Sequence, residues 1–82
     1  MPRREIEVIE NPLYDLIDDE TFEQLRQHRL LNERGIRDYI IRRTFRQMRD
    51  QQIPAAEAIE RLREEYPYLQ YDTIRKIVYG LH

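Results

Sequence analysis

Residues 32–52 read NERGIRDYIIRRTFRQMRDQQ, and this stretch has the pattern of one long helix. Asn32 suits the N-cap, because its side-chain oxygen accepts a backbone N–H that the first turn leaves without a partner. Advancing about 100° per residue puts Ile36, Tyr39 and Ile40 on one side and Ile41, Phe45 and Met48 on another. Thr44 and Gln47 fall between the two sectors. A surface helix needs a single apolar stripe. Two sectors predict a central helix with partners on both sides. The remaining strip carries Arg42, Arg46 and Arg49, with Arg43 at its edge.

Working back from this helix, Leu30 and Leu31 form an apolar connection to a shorter helix running from Glu20 to about Arg29. Asp18 or Asp19 caps it, Phe22 and Leu25 form its inner face, and Glu20 and Glu23 sit where the helix dipole favours negative charge. Pro12 opens a helical turn, PLYDLID, with Leu13, Leu16 and Ile17 inward. Before it, residues 1–11 alternate at Ile6 and Val8, with Ile9 following. This segment is too short to form a stable strand by itself. It is expected to be a loose arm, or a strand that pairs with a second copy.

Working forward, Ile53-Pro54 breaks the chain, with proline suited to the first helical position. Residues 55–65 follow as a helix with Ala55, Ala58, Ile59 and Leu62 inward. Tyr66-Pro67-Tyr68 ends it, since a residue before proline avoids helical angles. The last helix runs over residues 71–79 with Ile74, Ile77 and Val78 inward, and Gly80 is its stop.

With 82 residues the chain makes one domain at most. The expected fold is all-α, four to five helices in a single domain over residues 1–82. No cysteine is present, which excludes disulfides and thiolate metal sites. Serine and tryptophan are also missing, no apolar run reaches membrane-spanning length, and no signal-peptide pattern opens the chain. A cytoplasmic protein is expected, with no membrane contact. Abundant charge and only 2 glycines lean towards a heat-tolerant, ion-pair-rich protein.

The net charge of −2 conceals segregation. Residues 1–25 are net −6, residues 26–52 net +5 and residues 53–82 net −1. On pattern alone, the arginines of the middle pair with Asp15, Asp18, Glu20 or Glu23. Otherwise part of the ridge stays open to phosphate.

The C-terminal residues 57–80, EAIERLREEYPYLQYDTIRKIVYG, carry the most specific signal. Two short helices joined by a tight turn have the form of a helix-turn-helix. The spacing Leu62–Tyr66–Leu69–Ile74–Ile77 resembles that of the DNA-reading unit of bacterial regulators and of the promoter-reading region of sigma factors. The resemblance covers roughly residues 54–80. It departs from the family pattern in having Arg63 where a small residue is usual, and Pro67 with an inserted Tyr68 where glycine is usual.

The resemblance implies that the last helix enters the major groove by its N-terminal half. Its outward residues are Tyr71, Asp72, Arg75, Lys76 and Tyr79. Arg75 is then suited to a guanine or a phosphate, and Lys76 to a phosphate. Gln70 suits phosphate or an adenine edge, and Tyr71 a sugar–phosphate or a thymine methyl. Asp72 repels phosphate unless it accepts from a cytosine amino group. Arg42 and Arg46 would flank this helix and hold the backbone. The alternative is that Arg75 and Lys76 only solubilise a surface and complement the helix C-terminus.

These features predict a small bacterial or phage-type regulator binding double-stranded DNA, a homodimer reading two half-sites. The alternative is a helical protein–protein module that docks to a larger regulator or polymerase subunit, which its 6 tyrosines would suit. Catalysis is not expected. There is no serine or cysteine nucleophile and no glycine-rich phosphate loop, and His28 and His82 lie far apart in sequence. Asp18-Asp19-Glu20 reads as an ordinary helix start, and no cofactor or metal is expected.

Overall fold

The structure is a computed structural model and describes residues 11–80. The expected arm at Ile6, Val8 and Ile9, and His82, lie outside the described residues. Among the described residues the fold is all-α. The helices are α1 (Asp19–Gln27), α2 (Glu33–Asp50), α3 (Ala55–Glu65) and α4 (Tyr71–Val78). The chain divides into two compact units, with the boundary between Ile36 and Arg37 in the first turn of α2.

The first unit is built around Asn11 and α1. Asp18 is the α1 N-cap, and its carboxylate accepts from the Thr21 N–H at 2.8 Å. Asn11 is a buried polar residue that meets its hydrogen-bonding needs locally. Its amide donates to the Ile17 carbonyl at 2.8 Å and the Asp19 carboxylate at 3.1 Å, and its oxygen accepts from the Leu13 N–H at 2.9 Å. These bonds fasten residues 12–17, which form turns, to the start of α1. Within them the Ile17 N–H donates to the Leu13 carbonyl at 3.0 Å, a single helical step. Phe22 is the buried residue of α1. Leu16 was expected inward and is instead 61% exposed. The turn at residues 12–17 does not extend into a helix, so Leu13 and Ile17 share its half-buried side and Leu16 faces out.

The second unit has a continuous apolar core of Ile41 and Phe45 from α2, Ala58, Ile59 and Leu62 from α3, Leu69 from the turn, and Ile74 from α4. Met48, Ile53, Ala55, Tyr66, Tyr71, Ile77 and Val78 pack against it. Helices α3 and α4 pack directly on one another. On α2 the two expected apolar sectors differ in depth of burial. Ile41 and Phe45 are buried in the core and half-buried Met48 packs against it, while Ile36, Tyr39 and Ile40 are half-buried. Three of the 11 residues of α3 and two of the 18 of α2 are buried. Residues 36–45 of α2 are all buried or half-buried, Arg42 and Arg43 among them, and its exposed residues lie towards the two ends.

Helix ends follow capping chemistry. The Asn32 side chain accepts from the Gly35 N–H at 3.0 Å, as its cap pattern predicts. The end of α2 comes at Asp50, before the expected Gln52, because Gln52 adopts a φ of 66°. Its N–H donates to the Arg49 carbonyl at 2.9 Å, and the Ile53 N–H donates to Met48 at 3.0 Å. This paired arrangement closes a helix through one left-handed residue. The same closure ends α1, with Arg29 at φ 57° and bonds from Arg29 to Arg26 and from Leu30 to Leu25. Pro54 is the N-cap of α3, not its first helical residue, and its carbonyl accepts from the Ala58 N–H at 2.9 Å. Gly80, at φ 66°, closes α4.

Candidate nucleic-acid interface

The candidate face is built on α3, the turn of residues 66–70, and α4. Burial of Ala58, Ile59, Leu62, Leu69 and Ile74 orients both helices, so the opposite side of α4 faces water. Gln70 is the exposed N-cap of α4 and makes no side-chain capping bond. Tyr71 is half-buried and packs on the core. Tyr79 is 52% exposed, with its ring edge-on to Phe45 at 5.7 Å between centroids.

Arg75 and Lys76 share one carboxylate. Arg75 donates through Nε at 3.1 Å and Nη2 at 2.8 Å to Oδ1 of Asp72, while Lys76 Nζ lies 3.3 Å from Oδ2. Hydrogen bonds from Arg75 and then Lys76 hold the Asp72 carboxyl below the usual aspartate range. On α3, Arg61 pairs with Glu57 and Arg63 with Glu60, each within a helical turn. Exposed pairs of this kind each contribute roughly 0–1 kcal/mol, so they are readily exchanged for another partner.

The arginine strip of α2 divides. The Arg42 guanidinium is half-buried, and its Nε donates to the Ile77 carbonyl at 3.1 Å, at the C-terminal end of α4. The same carbonyl accepts from the Gly80 N–H at 3.2 Å, so Arg42 is a second donor at the end of the helix. Arg49 donates to the Ile53 carbonyl at 2.9 Å. Arg46 is exposed and takes no ion pair or hydrogen bond among the described residues. On the acidic side, Glu23 pairs with Arg26 of its own helix, and Asp18 serves as a cap.

Arg37 anchors the turn, a role the sequence reading did not assign. It pairs with Asp38 at 2.8 Å, and its guanidinium carbon lies 5.9 Å from the centre of the Tyr68 ring. Burial works against the Arg37 charge, but the Asp38 carboxylate and Tyr68 outweigh it, and the net effect is a raised pKa. Tyr68 in turn meets Tyr66 edge-on at 6.3 Å. Burial pushes the Tyr66 phenol up, and the Glu65 charge adds to this. The residue inserted into the turn, Tyr68, is thus the one whose ring receives Arg37. Its position beside Pro67 was visible in the sequence, but its partner on α2 was not.

No helix among the described residues is long and apolar enough to cross a membrane. Comparison with protein-family models, with curated proteins and with solved structures finds no match for this chain.

Proposed function

We propose that the chain is a helix-turn-helix DNA-binding protein, a small transcriptional regulator that reads duplex DNA with α4. The observation that carries this reading is the α3–turn–α4 pair. Its core spacing leaves Gln70, Asp72, Thr73 and Lys76 on an open face, with Arg75 half-buried beside them. Arg75 supplies the base contact and Lys76 a phosphate contact. Gln70, Tyr71 and Tyr79 border the groove, and Arg46 adds sequence-independent affinity. Arg42 supports the reading indirectly, by holding the C-terminal end of α4.

One half-site is all that a single copy covers, and regulators of this form pair to read two, about 34–36 Å apart. Tyr14, Leu16 and Leu30 are more than half exposed and offer apolar surface for such a homodimer contact. A second reading, a protein–protein module docking to a larger regulator or polymerase subunit, is favoured by the neutralisation of Arg75 and Lys76 on Asp72.

A binding screen of the full chain against random duplexes at two salt concentrations tests the proposal. Enrichment of a sequence, with affinity falling as salt rises, supports DNA reading. Absence of binding at low salt favours the docking module.

A further inference from the structure

We infer that Asp72 is a positioning residue for sequence discrimination: it holds Arg75 so that its free edge suits guanine and its other edge is closed to phosphate. The inference rests on the proposed function. A guanidinium has two hydrogen-bonding edges. One is formed by Nε and Nη2, the other by Nη1 and Nη2. Asp72 Oδ1 occupies the first edge, accepting from both Nε at 3.1 Å and Nη2 at 2.8 Å. The second edge keeps two parallel N–H groups, which match O6 and N7 of guanine. Asp72 Oδ2 faces Lys76 Nζ at 3.3 Å, so both cations of the face are partly neutralised by one side chain.

Two consequences follow. The carboxylate repels phosphate and lowers affinity for every duplex. Once the groove displaces water, it also fixes one arginine conformation on α4, so the binding that remains depends on a guanine at one position. In water the Arg75–Asp72 pair is open, at 42% and 58% side-chain exposure. Inside a groove the water is displaced and the pair strengthens. Discrimination and affinity are thus set against each other at one residue.

The test compares full-length wild type, Asp72→Asn and Arg75→Ala. Each is measured against a selected duplex and a panel in which each G·C pair is replaced singly by A·T, at low and moderate salt. Circular dichroism checks that α4 persists. Asp72→Asn is expected to bind all duplexes more tightly, with a salt dependence steeper by about one unit as released cations reach phosphate. Its discrimination at one G·C pair is expected to fall by roughly five-fold or more, at the same pair where Arg75→Ala loses preference. A merely structural role for Asp72 would weaken binding to every duplex, which would overturn the inference. Tighter binding with wild-type discrimination would also overturn it, while leaving DNA reading intact. A wild-type chain that binds no duplex at low salt would remove both.

Discussion

At Gln52 and Arg29 the backbone passes through the left-handed region with a full side chain attached. That conformation costs roughly 1–2 kcal/mol for an L-residue. Glycine would relieve it and would lose about 0.4–1 kcal/mol to its freer unfolded state. Gln52→Gly is therefore expected to raise stability by about 0.5–1 kcal/mol, read as a higher midpoint in urea unfolding. Arg42 is a different case. Its guanidinium donates to the Ile77 carbonyl from a half-buried position. Arg42→Ala is expected to lower stability by roughly 1.5–3 kcal/mol, as for hydrogen bonds that involve a charged group. Arg46→Ala should leave the melt unchanged. Asp72 sets a pH dependence. Because Arg75 and Lys76 depress its pKa, its contribution is complete above the ordinary aspartate value. It is lost as pH falls through the lower value in the folded state. Side-chain carboxyl NMR should show Asp72 titrating below an unperturbed aspartate, and in Lys76→Ala moving back up.

At the scale of elements, capping chemistry and periodicity read directly from the sequence. Asn32 caps α2, Asp18 caps α1, α3 spans the expected residues 55–65 and Gly80 closes α4. These features depend on local rules, so neighbouring residues specify them. The left-handed closures at Arg29 and Gln52 were not legible, because neither is glycine or asparagine. Nor were contacts between distant residues, such as Arg42 with the Ile77 carbonyl and Arg37 with Tyr68. Of the residues read as outward on α4, Asp72, Lys76 and Tyr79 are exposed, whereas Arg75 is half-buried and Tyr71 packs on the core, a correction to the sequence expectation. The pairing on that face was not legible, because Asp72 at i, Arg75 at i+3 and Lys76 at i+4 admit several rotamers and the sequence does not choose among them. Phe45 tests the packing of α2. It is 9% exposed and belongs to the core with Ile41. Phe45→Ala is expected to cost about 3–5 kcal/mol in thermal or chemical unfolding. An unchanged melt would show that α2 lies outside the cooperative core.

At the scale of the whole molecule, every buried member of the main core falls between Ile41 and Ile74. A fragment beginning at residue 32, which keeps the Asn32 cap, is expected to stay helical and melt cooperatively. A broad, featureless melt would show that the core needs residues before 32. The overall charge of −2 gives no general attraction to DNA, so affinity rests on the local cations of one face. The salt dependence should therefore be modest. The most direct measurement is fluorescence anisotropy of the full chain with a selected duplex, taken across a range of salt for wild type, Arg75→Ala and Lys76→Ala. DNA reading by α4 predicts wild-type binding at low salt. Arg75→Ala should cost about 1–3 kcal/mol and relax preference at one base, and Lys76→Ala should reduce the salt slope by about one unit for all sequences alike. Absence of wild-type binding at low salt, or binding indifferent to both substitutions, would contradict it.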